Sequence, residues 1–263
     1  MLAVITGGSS GIGAAFARKL AARGYDLLLV ARREDRLRAL ADEIGSLHPV
    51  RAGFLAADLT KGEDCGRVAA RLREASDLGL LVNNAGFGTL GHFWSAGVGP
   101  QEDMHRLHVL AVMRLTHAAL ESLTRAPRPA TGIINVSSVA AFAPGPMSTS
   151  YHATKAWINA FTRALATELA VARLPIRVQA LCPGFTLSEF HDVARMDRSK
   201  IPSWLWMTAD FVVEESLRGF DRGRVIVIPG WRYRLISAFL RRAPESLLRR
   251  MAGTDAAMRG RPR

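Results

Sequence analysis

Three side chains, Ser138, Tyr151 and Lys155, have the types and spacing for acid–base chemistry. Tyr151 and Lys155 are four apart in YHATKAWINAFTRALATEL, which predicts a helix with both residues on one face. A free phenol has a pKa of about 10, and a neighbouring ammonium lowers it. The Ser138 hydroxyl would hold a substrate oxygen against the phenol. Because Tyr-x-x-x-Lys also arises by chance on helices, the surrounding elements must support this interpretation.

A glycine-rich segment near the start of the chain has the composition of a phosphate-binding turn. The apolar run Leu2–Thr6 predicts a buried strand, and an Ala-rich helical pattern closed by Gly24 follows residue 13. Between them lies TGGSSGIG, residues 6–13. Glycines let backbone N–H groups approach a pyrophosphate, and the helix N-terminus attracts the same negative charge. The spacing G-x-x-x-G-x-G favours a dinucleotide site, although a plain turn between strand and helix also fits.

The end of the second predicted strand, Asp26–Ala31, indicates which coenzyme is preferred. In sites that bind NAD, an acidic residue at this place takes the ribose 2′-hydroxyl. Here Arg32 and Arg33 follow the strand, and a guanidinium binds a 2′-phosphate through two parallel hydrogen bonds. The sequence therefore favours NADP over NAD. The alternative is that both arginines are solvated residues opening the next helix.

The remaining pattern predicts a parallel sheet that brings these motifs together. Strands alternate with helices, which indicates right-handed crossovers, and ligands bind such sheets beyond the carboxyl ends of the strands. The glycine turn, the NNAG segment at 83–86 and Ser138 should meet at that edge, and Asp58 should either cap a helix or border adenine. The five further predicted strands are Gly53–Ala57, Leu78–Val82, Gly132–Ser137, Pro175–Leu181 and Arg224–Ile228.

Composition indicates one globular domain in a reducing compartment. The chain has 263 residues, of which 49% are hydrophobic and 22% are charged, enough for one large core. Cys65 and Cys182 lie far apart and match no metal-ligand spacing, so no metal site is expected. The sequence shows neither a leader pattern nor a membrane-spanning apolar run. A cytoplasmic location is therefore the default expectation.

The net charge of +12 is concentrated at one end of the chain. From Arg222 onward there are eleven arginines against two acids, Glu245 and Asp255, so the rest of the chain is close to neutral. We therefore do not expect a nucleic-acid-binding protein. Residues 231–253, WRYRLISAFLRRAPESLLRRMAG, read as two short helices in which apolar residues alternate with arginine pairs. They fit peripheral membrane contact or packing over the cleft or a second subunit, and we expect packing.

The order and spacing of these motifs resemble those of the short-chain dehydrogenase/reductase family. The resemblance covers about residues 2 to 230 and rests on TGGSSGIG, NNAG, Ser138, Tyr151-x-x-x-Lys155 and Pro183-Gly184. It implies an α/β fold of Rossmann type: a doubly wound, parallel, seven-stranded sheet in one domain (residues 1–230) with a helical C-terminal extension (residues 231–263). It also implies an oxidoreductase that uses NADP(H), usually as a homodimer or homotetramer pairing through helices at about 101–125 and 149–171.

The resemblance assigns a role to each matching residue. Tyr151 should exchange a proton with the substrate oxygen, Ser138 should orient that oxygen, and Lys155 should hold the nicotinamide ribose and lower the pKa of the phenol. Arg32 should meet the 2′-phosphate and Asp58 the adenine. The other coenzyme-binding residues should cradle the pyrophosphate, line the ribose or pack on the nicotinamide, in that order: Gly7, Ser9, Ser10, Gly11, Ile12 and Gly13; Asn84, Ala85 and Gly86; Pro183, Gly184 and Ser188.

One position departs from the family pattern. His108, in the segment LHVLA, stands where many members carry an Asn that helps hold a water linking the Lys to solvent. Because His also donates and accepts hydrogen bonds, we expect the replacement to retain activity. A weakened or altered enzyme is the competing interpretation. His152, beside the Tyr, is expected at the rim of the pocket.

The segment from Thr186 to about Thr208 (186–208) should form a lid over the substrate. Its large apolar residues suggest a pocket for a bulky hydrophobic ketone, aldehyde or secondary alcohol. The alternative from another class is a low-activity, nucleotide-binding regulator or scaffold, for which His108 is the only support. The residues expected to form the apolar pocket are Phe87, Trp94, Phe142, Met147, Phe190, Val193, Met196, Ile201, Trp204, Leu205, Trp206 and Met207.

Overall fold

The computed structural model describes residues 1–143, 145–189 and 201–249. Three of the expected lid residues, Phe190, Val193 and Met196, and the last part of the C-terminal extension lie outside the described residues. Within these ranges, no helix is both long and apolar enough to cross a bilayer.

Seven parallel strands form one sheet in the order β3-β2-β1-β4-β5-β6-β7. The strands wind outward from β1 in one direction, and after β3 the chain returns to lay β4 on the other side of β1. The predicted doubly wound sheet of Rossmann type is confirmed. Its strands are β1 (Leu2–Thr6), β2 (Asp26–Ala31), β3 (Ala52–Ala56), β4 (Leu78–Asn83), β5 (Gly132–Val136), β6 (Arg177–Leu181) and β7 (Ile226–Val227).

β1 and β2 have the predicted bounds, and the other five strands differ from them by one or two residues at an end, most clearly β7. The sequence predicts five residues there, but only Ile226 and Val227 pair, opposite Ala180 and Leu181. Because β7 lies at the edge of the sheet, it has one neighbour to pair with, and that neighbour fixes its length. The apolar pattern of the sequence carries no information about where this pairing stops.

Helices cover both faces of the sheet and divide the core into two layers. One layer packs α1, α2 and α7 on the sheet, and the other packs α3, α5 and α6. Both layers consist largely of buried Leu, Ile, Val and Ala side chains, with Phe16 and Phe220 in the first and Cys65 in the second. The helices are α1 (Gly11–Ala22), α2 (Glu34–Leu47), α3 (Gly62–Glu74), α4 (Val98–His105), α5 (Val112–Leu123), α6 (Thr149–Val171), α7 (Ala209–Asp221) and α8 (Trp231–Leu240).

The helix predicted at about 101–125 is interrupted by a wider turn. α4 and α5 are joined without a break by a π-helical turn, Arg106–Ala111. Such turns are rare, and they occur often at functional sites. His108 lies in this turn, so the position that departs from the family pattern also lies where the backbone departs from a regular α-helix.

Candidate active site

A cavity of about 710 Å³ opens where the loops after β1 to β6 converge. Most of the residues that the sequence predicts for catalysis and coenzyme binding line this one cavity. Gly13 and His108 are not among its lining residues. Those that line it are Gly7, Ser9, Ser10, Gly11, Ile12, Arg32, Asp58, Asn84, Ala85, Gly86, Ser138, Tyr151, Lys155, Pro183, Gly184 and Ser188.

The glycine turn and the NNAG segment form one hydrogen-bonded unit. The Asn84 side chain donates to the carbonyl oxygens of Thr6 at 2.9 Å and Gly7 at 3.2 Å. The Thr6 hydroxyl in turn accepts from the backbone N–H groups of Asn84 and Ala85 at 2.9 and 3.0 Å. Gly7 has φ +66°, and a Cβ there would lie 2.7 Å from the Asn84 amide nitrogen. The carboxyl ends of β1 and β4 are therefore fixed to each other.

The backbone of the glycine turn packs directly on α1, because Gly13 has no side chain. A Cβ at Gly13 would lie 2.1 Å from the Gly7 carbonyl oxygen, so α1 approaches the turn more closely than any side chain permits. Gly11 has φ +54°, and a Cβ there would lie 2.9 Å from the Ser188 side chain. A helix N-terminus behind such a turn is a general anion site. The residues present therefore fit the pyrophosphate of a dinucleotide.

Two arginines lie beside this turn. Arg33 donates to the hydroxyls of Ser10 at 3.2 Å and Ser9 at 3.4 Å and to the Glu189 carboxylate at 2.9 Å. Arg36 donates to the other oxygen of Glu189 at 2.5 Å. Hydrogen bonds from Arg36 and then Arg33 hold the pKa of Glu189 below its usual value. The sequence assigned the 2′-phosphate to Arg32; in this structure Arg33 makes the contacts with the glycine turn.

Asp58 folds the turn that precedes α3. Its carboxylate accepts from the Thr60 hydroxyl at 2.8 Å and the Thr60 N–H at 3.1 Å. Burial acts to raise the pKa of Asp58, but these hydrogen bonds and the charges of Arg32 and Lys61 lower it. The residue before the helix is Lys61, so Asp58 shapes the approach to α3 and is not its N-cap.

Ser138, Tyr151 and Lys155 meet on one wall of the cavity. The Ser138 hydroxyl accepts from the Ala140 N–H at 3.1 Å and is hydrogen-bonded to the Tyr151 phenol. The Lys155 ammonium donates to the Val136 carbonyl at 2.9 Å and lies 5.6 Å from the centroid of the Tyr151 ring. The carboxyl end of β5 and the first turns of α6 thus bring together two hydroxyls and one amine.

Burial shifts the pKa values of this pair in a direction the sequence did not suggest. It raises the pKa of Tyr151 to about 12, which the hydrogen bond from Ser138 only partly offsets. It also lowers the pKa of Lys155 to about 7. Lys155 therefore does not lower the pKa of the Tyr151 phenol in this structure, in which burial is the largest influence on both groups.

His108 is buried behind the cavity wall and held at both ring nitrogens. Nε2 accepts from the Phe87 N–H at 3.3 Å, which leaves the proton of the neutral ring on Nδ1. Nδ1 is 3.0 Å from the Thr154 hydroxyl, which itself donates to the Tyr151 carbonyl. Burial, followed by the charge of Lys155, lowers the pKa of His108 well below 6.5. His108 thus ties the segment after NNAG to α6 as a neutral ring.

His152 has a supporting role that the sequence did not reveal. Its Nδ1 lies 2.8 Å from the Ala140 carbonyl and 2.7 Å from the Ala143 carbonyl, so this nitrogen carries a proton and donates. Both carbonyls belong to the turn that follows Ser138. His152 lines the cavity, as expected for the rim, and also holds the loop that carries Ser138.

Helix α8 of the C-terminal extension packs on the segment after β6. The ring of Tyr233 occupies the space in front of Gly184, where a Cβ would lie 2.0 Å from the ring. The Tyr233 hydroxyl accepts from the Phe185 N–H at 3.0 Å and donates to the Leu205 carbonyl at 2.7 Å. One side chain therefore joins the two ends of the expected lid segment. Leu248, beyond α8, lines the cavity.

Several expected positions differ in the structure. Ser188, expected with Pro183 on the nicotinamide, lies against Gly11 of the glycine turn, and its contact with the nicotinamide stays a prediction. Ser188 and Pro183 lie apart because the backbone of residues 183–189 runs along the cavity. Of the described residues expected in the apolar pocket, only Phe87 lines the cavity. Trp94 and Trp204 are 82% and 55% exposed and do not line it, and neither do Phe142, Met147, Ile201, Leu205, Trp206 and Met207.

Comparison with known proteins identifies a family. A family model described as short chain dehydrogenase matches residues 1–199. Hydroxysteroid dehydrogenase-like protein 1 of Gallus gallus is 34% identical over 183 residues, 69% of this chain and 54% of that protein. The chain thus matches about half the length of that relative. The Rattus norvegicus protein, named inactive hydroxysteroid dehydrogenase-like protein 1, is 32% identical over 193 residues, 71% of this chain and 56% of that one.

Solved structures resemble the chain over nearly its whole length. A short-chain dehydrogenase from Sphingobium yanoikuyae in complex with NADPH has a TM-score of 0.83 at 34% identity, covering 97% of this chain and 96% of that one. A bulky-bulky ketone specific alcohol dehydrogenase from Comamonas testosteroni has a TM-score of 0.77 at 32% identity, covering 98% and 93%.

Proposed function

This chain belongs to the short-chain dehydrogenase/reductase family, and from this premise we propose that it is an NADP(H)-dependent oxidoreductase for bulky hydrophobic ketones, aldehydes or secondary alcohols. The observation that carries the proposal is one cavity that joins two kinds of site. A backbone cradle fit for a pyrophosphate lies at one end, and the Ser138, Tyr151 and Lys155 side chains lie at the other. Neither part alone would support hydride transfer.

The chain's own groups fit a phosphorylated dinucleotide along this cavity. The turn at residues 7–12 would hold the pyrophosphate, Arg33 with Ser9 and Ser10 the 2′-phosphate, and Lys155 the ribose next to the nicotinamide. A nicotinamide bound here would supply or accept the hydride. The bound NADPH of the Sphingobium yanoikuyae relative supports the choice of coenzyme.

Tyr151 is the proton carrier in this proposal. With a pKa raised to about 12, its phenol stays protonated at neutral pH and is ready to donate to a carbonyl oxygen. Ser138, already hydrogen-bonded to the phenol, would hold the same oxygen and fix the direction of transfer. Lys155, anchored on the Val136 carbonyl, would exchange protons near neutrality because its pKa is lowered to about 7.

The expected substrate is bulky and apolar because of the side chains at the far end of the cavity. Phe87, Leu90, Phe185, Leu240 and Leu248 line it, and they come from three separate parts of the chain. The ketone specificity in the name of the Comamonas testosteroni enzyme agrees with such a lining. We expect a higher kcat/KM for diaryl or long-chain ketones than for small polar carbonyls.

The test is NADPH consumption with a panel of ketones by wild type, Tyr151→Phe and Tyr25→Phe. The first variant should lose about 10²- to 10⁴-fold in kcat, the range that a positioned proton donor contributes. It should still bind NADPH, measured by coenzyme fluorescence. Tyr25→Phe removes the same atom outside the cavity and should match wild type. Full activity of Tyr151→Phe would overturn the mechanism, and preference for small polar substrates would overturn the substrate class.

A nucleotide-binding regulator or scaffold is the second candidate, favoured by the relatives named inactive. The same assay decides between the two. Tight binding of NADPH with no turnover of any ketone, in wild type as in Tyr151→Phe, would support the regulator. Turnover that depends on Tyr151 would exclude it.

We also propose a homodimer or homotetramer that pairs through the long helices. Leu110 in the π-helical turn and Met113 at the start of α5 are each 42% exposed, so this surface carries apolar side chains that a partner copy would cover. Light scattering of wild type and Met113→Glu tests the pairing. A monomeric wild type would contradict it.

A further inference from the structure

Helix α8 has a second apolar face, directed away from the body of the protein. Trp231, Leu235 and Phe239 follow one another at intervals of four residues and therefore share one side of the helix. Their exposed fractions are 63%, 63% and 49%. The opposite side, with Tyr233 and Ser237, is buried against the protein. The helix is thus already docked, and the outer residues are not needed to hold it.

Neighbouring segments extend this face. Phe211 at the start of α7 lies next to Gly230, and it is 43% exposed. The Arg232 guanidinium lies 5.2 Å from the ring of Trp231 and 5.7 Å from the ring of Trp204, so the two indoles share one cation. The tail face, as we name it, comprises Trp204, Phe211, Trp231, Leu235 and Phe239. Contiguous exposed apolar side chains of this kind mark interaction surfaces.

The charge around the tail face is predominantly positive, because residues 231–263 contain nine arginines against two acids, Glu245 and Asp255, although the exposed Asp210 lies beside Phe211. Among the described residues, Arg232, Arg241 and Arg242 donate to backbone carbonyls and form no ion pair with a carboxylate. Arg234 is the exception, because it pairs with Glu215 at 2.5 Å. The printed sequence adds arginines beyond residue 249 and one acid, Asp255. A partner for this face must therefore be apolar at its centre and negative at its rim.

We propose that the tail face docks the protein peripherally on an anionic lipid surface. Trp and apolar side chains are favoured at the membrane–water boundary, while arginines reach the headgroups from the same helix. Each basic residue near an anionic leaflet adds attraction. A second copy of the chain is a poorer occupant, because two such faces would bring like charges together.

Docking would also place the cavity at the lipid surface. Leu240, the last residue of α8, and Leu248 line the cavity, so its apolar end lies beside the tail face. A bulky hydrophobic substrate would then enter from the phase in which it is concentrated. This step rests on the proposed function, whereas the docking itself does not.

The experiment is flotation of the full chain with vesicles of phosphatidylcholine alone or mixed with phosphatidylserine. Wild type should float with the mixed vesicles, weakly or not at all with phosphatidylcholine, and less at high salt. The double variant Leu235→Ser/Phe239→Ser should lower the partition coefficient at least ~tenfold, because two apolar side chains no longer enter the bilayer. Coenzyme binding is measured alongside and should not change.

A matched control uses two apolar side chains exposed elsewhere. Leu47 and Val171, 67% and 80% exposed, end α2 and α6 at the opposite edge of the sheet. Leu47→Ser/Val171→Ser should float like wild type. Failure of wild type to float, or equal flotation of the tail-face variant, would overturn the proposal. The proposal would also be wrong if wild type bound no vesicles and the tail-face variant formed smaller oligomers than wild type. The tail face would then join copies of the chain. None of these outcomes requires turnover.

Discussion

The two ends of the cavity are held together in different ways. At the coenzyme end, backbone meets backbone: Gly13 packs on the Gly7 carbonyl, and Asn84 binds two carbonyl oxygens of the turn. At the substrate end, a single side chain, Tyr233, joins Phe185 to Leu205 across 48 and 28 residues of sequence. The contacts at the coenzyme end leave no space for a side chain at Gly13. The contacts at the substrate end depend on α8, a helix that lies outside the sequence motifs of the family.

This difference suggests a division of work within the chain. In the proposed function the backbone cradle would recognise a pyrophosphate, and glycines are required wherever a Cβ would enter it. A substrate pocket built from side chains of an appended helix can change with few consequences for the sheet. Substitutions at the two ends should therefore have separable effects on coenzyme affinity and on substrate selectivity.

Gly13→Ala should have the largest effect, because its Cβ would meet the Gly7 carbonyl oxygen, a backbone atom that cannot turn aside. We expect a loss of about 3 kcal/mol in the free energy of unfolding and a roughly 100-fold weaker affinity for NADPH. Thermal unfolding and coenzyme fluorescence measure both.

Gly66→Ala is the matched control, since Gly66 is also helical but has no atom near its Cβ position. It should stabilise the protein by about 0.5 to 1 kcal/mol, as Ala is the better helix former. If both substitutions behaved alike, the close packing at Gly13 would not be what shapes the coenzyme end.

His108→Ala comes next, because it leaves the Phe87 N–H and the Thr154 hydroxyl without their ring partner and opens a buried space. The expected cost is about 2 kcal/mol in stability, with a lower kcat. His108→Asn should restore most of both, since an amide oxygen can accept from Phe87 and an amide N–H can donate to Thr154. A large loss of kcat in His108→Asn would show that the ring itself is required.

We also expect the stability of wild type and of His108→Asn to depend differently on pH. The folded state holds the pKa of His108 well below 6.5, so the unfolded chain binds more protons as the pH falls through 6.5. Wild type should therefore lose stability between about pH 7 and pH 5 more steeply than His108→Asn. Parallel curves from denaturant titrations would contradict the buried, neutral ring.

Tyr233→Phe should act at the substrate end alone. It removes two hydrogen bonds and leaves the Phe185 N–H without that partner, at a cost of about 1 to 2 kcal/mol. We expect kcat/KM for bulky ketones to fall about tenfold while the affinity for NADPH stays unchanged. Tyr25→Phe is the control for loss of a phenol. Weaker coenzyme binding by Tyr233→Phe would mean that the two ends are not separable.

The sequence predicts the coenzyme end better than the substrate end for a physical reason. Strands, turns and glycine motifs depend on neighbours a few residues away, so the order of elements and the position of TGGSSGIG follow from local patterns. The π-helical turn at Arg106–Ala111 does not, since no residue type demands it. Apolar aromatic residues likewise do not reveal their direction: Phe87 lines the cavity, whereas Trp94 faces solvent.

The role of Tyr233 and the choice between Arg32 and Arg33 could not be predicted from the sequence for a related reason. Tyr233 acts through a contact with Gly184 across 49 positions, and nothing local marks it. Arg32 and Arg33 both follow β2, and only the fold decides which of them reaches the serines of the glycine turn. The presence of a basic pair was informative, but the choice between its members was not.

Glu189 lies between the coenzyme end and the substrate end of the cavity, and its substitution should have the smallest effect. It belongs to the segment after β6, yet its carboxylate pairs with Arg36 and with Arg33, the cation that we propose for the 2′-phosphate. Glu189→Gln removes the competing charge, so NADPH should bind about threefold more tightly and NADH no differently, a small effect because these side chains are 43–45% exposed. Glu43→Gln, which breaks an equivalent pair with Arg18 outside the cavity, should change neither affinity. If Glu189→Gln instead weakened NADPH binding, the carboxylate would be orienting Arg33 for the phosphate, and the substrate end would be supporting the coenzyme end where we expect it to compete.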